Sequence, residues 1–267
     1  MPAVAHPVLS TDALTVRYRL ADRDLVAADG VSFSVGRGET LALVGESGSG
    51  KSSIALSIPR LLPASARVSG QVVVDGADIY SLAEKHLREV RRRKVSYIFQ
   101  DPVGSLLPTA TIGRQLTAAI SYRMELSQKR AVDRGREMLR QVGLDDVEGV
   151  WAMYPFQLSG GMCQRVMIAL ALSVEPALVI ADEAVSALDA ITQARVLQLL
   201  RNLQDAHGFG MIFVTHDLRV AARIATHVGV MRSGLLVELK PADVLFSKGA
   251  ELPYSRELIT AARQLSL

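Results

Sequence analysis

The sequence predicts an α/β fold: a mainly parallel core sheet flanked by helices, with an antiparallel β subdomain at the N-terminus and an inserted helical subdomain. Three observations carry this. Short β-rich runs alternate with stretches of helical period through the second half of the chain. The later runs, such as LVIAD at 178–182 and MIFVT at 211–215, are nearly all apolar, as strands covered on both faces must be. The earlier runs VSFSV and QVVVDG alternate polar and apolar residues, the pattern of a sheet covered on one face.

Taken in order, the strand candidates are Ala13 to Tyr18, Val31 to Val35, Leu41 to Gly45, Gln71 to Asp75, Val95 to Phe99, Leu178 to Asp182, Met211 to Thr215 and Val228 to Met231. Helical period covers Ser52 to Leu62, Gln128 to Val142, Gly161 to Val174, Ala190 to Ala206 and Leu218 to Ala225. The stretch from Leu106 to Gln157 has no convincing strand and reads as the helical insertion, with LPYSRELITAARQLSL as one short closing helix.

Composition removes several function classes. With 267 residues, 49% hydrophobic and 21% charged, the chain is neither disordered nor fibrous. Lys and Arg total 30 against 27 Asp and Glu, and a net charge of +3 is too weak to imply a nucleic-acid partner. Cys163 is the only cysteine, which excludes an internal disulfide or a cysteine-rich metal centre and fits a reducing compartment. The first residues lack an apolar signal region and no window reaches the length of a membrane span. The expectation is a chain neither secreted nor embedded on its own.

Gly45, Glu46, Ser47, Gly48, Ser49, Gly50, Lys51 and Ser52 satisfy G-x-x-x-x-G-K-[ST] between an apolar run and a helical run, with Ser53 following. Inward N–H groups of such a loop and the positive end of the helix behind it make an anion site. Lys51 would reach the β- and γ-phosphates and Ser52 would place its hydroxyl on Mg²⁺. The run LVIADEA ends in Asp182, placed to hold Mg²⁺ through water, and Glu183, placed to polarise an attacking water.

The segment Leu158, Ser159, Gly160, Gly161, Met162, Cys163, Gln164, Arg165, lying just before LVIADEA, resembles the signature of ABC transporter nucleotide-binding subunits. That resemblance implies a P-loop ABC ATPase fold over residues 1–267 as one nucleotide-binding domain, with 106–157 and the signature helix as its helical subdomain. It implies ATP and Mg²⁺ as ligands, with the signature, including Ser159, Gly160, Gly161 and Gln164, binding the γ-phosphate of ATP held by an opposite subunit. Gln100 in YIFQDP resembles the Q-loop residue that touches Mg²⁺ or the attacking water, Asp189 in SALD the D-loop, and His216 in FVTHD the switch histidine. Tyr18, upstream of the phosphate loop, is the candidate for stacking on adenine, although an aromatic in a strand is more often core.

The stretches YIFQDPVGSLLPT, YPFQLSGGMCQRVMIALAL and LPYSRELI are similar to the peptide and nickel importer subfamily. Its members work with two different ATPase subunits, two transmembrane permeases and an external solute-binding protein, at the cytoplasmic face of the inner membrane. The short ending is similar to nickel and metal-chelate members, and truncation of a peptide-type subunit would look the same, so peptides and nickel or metal chelates both stay open as solutes. Cys163, Ala184, Val185 and Phe156 depart from the subfamily pattern, and the first three lead to an expectation of two unequal ATP sites. A redox role for Cys163 is the alternative to a small apolar residue. The basic run Arg88, Arg91, Arg92, Arg93, Lys94 reads as a solvated helix face, with acidic lipid as the alternative contact. Two rival functions remain: a non-hydrolysing subunit that completes its partner's site, and a soluble ABC ATPase acting on nucleic acid or ribosomes.

Overall fold

The computed structural model describes residues 6–20, 22–247 and 249–264, the last four by their backbone. The end of the expected closing helix, 265–267, lies outside the described residues.

The chain begins with β1 (Leu9–Arg19), β2 (Asp24–Val35) and β3 (Thr40–Val44), followed by α1 (Lys51–Ser57), β4 (Ala66–Val74) and β5 (Ala77–Asp78). Then come α2 (Glu84–Arg93), β6 (Val95–Ile98), α3 (Ile112–Met124), α4 (Gln128–Gln141), α5 (Val147–Ala152) and α6 (Gly160–Leu172). The chain continues through β7 (Leu178–Asp182), α7 (Ala190–His207), β8 (Gly210–Val214), α8 (Leu218–Ile224), β9 (His227–Arg232), β10 (Leu235–Pro241), α9 (Ala242–Ser247) and α10 (Pro253–Gln264).

Two sheets result. An antiparallel sheet has the order β2-β1-β4-β5, and a six-stranded sheet has the order β10-β9-β3-β8-β7-β6. In the larger sheet β9, β3, β8, β7 and β6 pair in parallel and only the edge strand β10 is antiparallel. Side-chain alternation splits each central strand between two cores. Val179, Ala181, Met211 and Phe213 pack with Val166 of α6 and Leu200 of α7, whereas Leu178, Ile180, Ile212 and Val214 pack with Ile54 of α1 and the antiparallel sheet. Coverage on both faces is why these strands are apolar throughout.

The structure departs from the sequence expectations in three places. Helix α1 stops at Ser57 instead of running to Leu62, because Pro59 has no N–H to continue the ladder and Arg60 turns at a φ of 53°. Strand β10 was not expected; its charged Glu238 and Lys240 mask a strand that follows the two-residue turn Ser233–Gly234, both at positive φ. Helix α9 was not expected, whereas the expected closing helix is present as α10 over the described residues.

The parallel strands all end at one edge. Ile98 of β6 pairs with Ala181 of β7, and Asp182 of β7 pairs with Val214 of β8. Gln100, Glu183 and His216 therefore follow neighbouring strand ends, with the loop after β3 beside them. Open α/β sheets place ligands in this position.

Candidate active site

The loop from Gly45 to Ser52 is shaped by its packing. At Gly45 (φ 147°) a Cβ would collide with the Met231 carbonyl, and at Gly50 (φ 103°) with the Ala27 carbonyl. Only glycine permits both the left-handed backbone and the close approach. The β9–β10 turn supports the loop from outside, Gly234 N–H donating to Ser49 O (3.0 Å). Lys51 is buried, and its ammonium donates to Gly45 O (2.9 Å), Glu46 O (2.7 Å) and Ser49 Oγ (3.2 Å). Burial pulls its pKa down, while Glu183, Asp182 and Glu46 push it back up.

Both oxygens of Asp182 are engaged. Ser52 Oγ–H donates to Oδ1 (3.1 Å) and the Tyr97 hydroxyl to Oδ2 (2.8 Å). Burial raises the carboxyl above its ordinary value against the pull of these two donors, with Glu183 adding to the rise and Lys51 opposing it. Burial also raises the Tyr97 phenol, reinforced by the adjacent Asp182, so it stays a donor. A carboxylate and a hydroxyl in contact at a helix start are hard oxygen ligands of the kind Mg²⁺ takes together with phosphate and water, so the residues fit that ion.

Glu183 stands at a φ of 48°, a costly conformation for a residue with a side chain. Three bonds hold it: its N–H donates to Val214 O (3.0 Å), and its carbonyl accepts from Ser186 N (3.1 Å) and Ser186 Oγ (2.9 Å). Its carboxylate sits between Gln100, whose Nε2 donates to Oε2 (3.1 Å), and His216, whose Nδ1 is 3.2 Å from Oε1. Glu183, Lys51, Ser52 and Ser53 line a cavity of about 480 Å³ together with Ser47, Gly48 and Gly50 of the loop and Leu25, Val26 and Ala27 of β2. Tyr18 borders the same cavity, its hydroxyl 3.1 Å from Ser53 Oγ. Glu46 and Ser49 line a smaller cavity of about 220 Å³ on the other side of the loop, with Arg232 and Tyr254.

The run at Ser159 lies elsewhere. Ser159 caps α6, its Oγ accepting from Met162 N (3.3 Å), and it and Gly160 are exposed. Gly161 approaches Thr192 of α7 closely. Asp189 caps α7, its Oδ1 accepting from the N–H groups of Ile191 and Thr192 (3.0 Å each). Gln164 is 1% exposed and faces the interior, its Nε2 without a hydrogen-bond partner. None of Ser159, Gly160, Gly161, Gln164 or Asp189 is among the residues lining either cavity of the phosphate loop.

A model of the family described as ABC transporter matches residues 28–186. The chain belongs to the ABC transporter family. It is 43% identical to the peptidoglycan transport ATP-binding protein YejF of Agrobacterium fabrum, over 96% of this chain and 47% of that one. It is 44% identical to the probable peptide ABC transporter ATP-binding protein y4tR of Sinorhizobium fredii (88% and 70%), and 41% identical to the glutathione import ATP-binding protein GsiA of Shigella dysenteriae (98% and 43%). The chain thus spans about half the length of the first and third of these relatives. Among solved structures it resembles the dimeric post-hydrolysis state of the ATP-binding cassette MJ0796 bound to ADP and Pi, with a TM-score of 0.78 at 27% identity, over 88% of this chain and 98% of that one.

Burial and pairing bear on three readings of this ABC cassette. The residues behind the idea of unequal ATP sites do not face the nucleotide cavity: Cys163 is 0% exposed, and Ala184 and Val185 are 2% exposed in the core below α6. Cys163 Sγ lies 3.5 Å from Pro155 O, and burial raises its thiol, which leaves little thiolate for redox chemistry. Phe156, by contrast, is 70% exposed and stacks on Tyr154. The basic run is tied within the protein. Arg88 pairs with Glu84, Arg92 and Arg93 with Glu89 and Glu125, Lys94 with Asp75, and Arg91 donates to the carbonyls of Pro59 and Arg60. These pairs remove the reason to assign that run to lipid.

Sequence reasoning missed Tyr97 and the Ser233–Gly234 turn. The turn had a signal, a Ser-Gly pair between apolar runs. Tyr97 had none, because its partner is set by strand register.

Proposed function

We propose that the chain is an ATP-hydrolysing subunit of an ABC importer, working peripherally at the cytoplasmic face of the inner membrane with transmembrane permeases, an external solute-binding protein and a second ATPase subunit. The observation that carries the catalytic reading is the Glu183 carboxylate held between Gln100 and His216 beside the buried Lys51 ammonium. The peptide, glutathione and peptidoglycan names of the three relatives favour a peptide-type solute over nickel or a metal chelate. No helix among the described residues is long and apolar enough to cross a membrane.

The chain's groups divide the work. Lys51 and the loop N–H groups bind and orient the phosphates, and Tyr18 with Leu25 and Val26 offers an apolar wall for the base. Ser52 and Asp182 would hold Mg²⁺, which would neutralise charge between the β- and γ-phosphate oxygens. Glu183 accepts the proton of the attacking water at a carboxylate oxygen, while Gln100 and His216 fix the direction of that carboxylate. Ser159 and Gly160, exposed at the start of α6, present a second helix-terminus anion site to the nucleotide of an opposite subunit. Closure then depends on a ligand that touches both surfaces, and hydrolysis removes the link.

The permease contact is assigned to the groove beside the Q-loop. It is lined by Leu61, Tyr97, Phe99 and Arg123, and Leu61 and Phe99 are more than two-fifths exposed. Phe99 directly precedes Gln100, so pressure there reaches the Glu183 carboxylate through one residue. Replacing Glu183 by Gln tests the catalytic reading: turnover falls by at least about 100-fold while ATP affinity is kept and the closed assembly accumulates. Turnover at the normal rate from this site would remove Glu183 from its role.

A further inference from the structure

We propose that Tyr97 is a positioning residue for magnesium-dependent nucleotide binding, acting through Asp182. The inference deepens the functional reading and rests on Asp182 being the metal-holding carboxylate.

The placement follows from strand register. Tyr97 of β6 pairs with Ile180 of β7, and Asp182, two residues further along, shares the face of Ile180. The phenol therefore reaches across one strand and toward its end, where its hydroxyl donates to Asp182 Oδ2 at 2.8 Å. Its ring packs tilted against Phe99, with centroids 4.5 Å apart, which fixes the direction of the hydroxyl. Among the described residues, Ser52 and Tyr97 are the side chains that donate hydrogen bonds to Asp182.

The two donors act on different oxygens. The Ser52 hydroxyl can turn a lone pair to a cation while its O–H still points to Oδ1, so its own direction is shared between the metal and the carboxylate. Tyr97 holds Oδ2 and has no second task. It is the donor whose direction is set by the sheet alone, and it keeps the carboxylate aimed. Outer partners of this kind orient ligating groups, and their loss typically costs at least about tenfold in metal affinity. Phenylalanine would keep the ring contact and remove only the donor, leaving Oδ2 half-buried without it.

The test uses the full chain and a fluorescent ATP analogue, titrated once in EDTA and once in magnesium, for the parent, Tyr97→Phe and Asp182→Asn. Tyr97→Phe should match the parent in EDTA and bind about tenfold more weakly in magnesium, approaching Asp182→Asn. Its nucleotide-free melting temperature should fall by only a few degrees, the cost of one lost hydrogen bond. Equal binding of Tyr97→Phe and parent in magnesium would overturn the proposal. So would equal weakening in both titrations, the mark of a merely structural role. If Asp182→Asn itself binds like the parent in magnesium, the metal role of Asp182 fails and the proposal falls with it, a result distinct from a failure of Tyr97 alone.

Discussion

The two edges of this ABC cassette, the phosphate loop and the start of α6, are built in opposite ways. Around the phosphate loop nearly every functional group already has a partner: Lys51 has three acceptors, Asp182 two donors and Glu183 two neighbours on its carboxylate. At the start of α6, Ser159 caps its own helix, and with Gly160 it faces open space. The difference teaches where preorganisation stops. A site held by its own chain is preorganised to bind a nucleotide alone, whereas under the proposed function an exposed helix start that lines no cavity of the loop acts on a ligand brought by another molecule.

The sharpest way to break this comparison is to damage each edge separately. Lys51→Ala should weaken ATP binding by the isolated chain by about 100-fold, because it removes a charged donor to the phosphates. Ser159→Glu should leave that binding within about twofold and abolish turnover only in the assembled complex, where the added charge meets the opposite nucleotide. Nucleotide titration of the two variants, with and without the partner subunits, distinguishes the cases. If Ser159→Glu weakens binding by the isolated chain as much as Lys51→Ala does, the two edges are not independent.

A smaller effect probes the cost of building the first edge. The folded pKa of Asp182 is raised, chiefly by burial, so its ionised form costs stability above that pKa and the cost vanishes below the unfolded value near about 3.9. Asp182→Asn should therefore melt at or above the parent at pH 7.5 while losing magnesium-dependent binding. The gap should close as the pH falls to about 4, as followed by thermal melts across pH. A variant that melts well below the parent at pH 7.5 would mean that the carboxylate stabilises the fold.

Much of the first edge was legible in the sequence because its groups are local. The loop is continuous from Gly45 to Ser52, and apolar runs that stop at Asp182 and Thr215 mark strand ends without reference to the rest of the molecule. The expectation of a mainly parallel sheet behind an antiparallel one rested on the same local pattern, apolar throughout against alternating, and both sheets are present. What was hidden depends on pairing between distant segments. The Tyr97 bond to Asp182 requires the β6–β7 register, and the left-handed backbone of Glu183 requires Val214 and Ser186 to hold it. Strand β10 was hidden for a related reason. Glu238 looks like a solvent residue in the sequence, yet it is buried with its Oε1 accepting from Glu251 N (2.8 Å) and lying 3.3 Å from Lys240 Nζ. Cys163 shows the converse: two residues from the nearer signature glycine in sequence, it turns into the core, and the helix face decides what spacing could not.

The dependence of ATP turnover on assembly tests the central claim most directly. Turnover per chain should be negligible for the dilute monomer and rise with protein concentration or with added partner ATPase, and Ser159→Glu should remove the rise. Full, concentration-independent turnover by a strict monomer, unaffected by Ser159→Glu, would contradict the account.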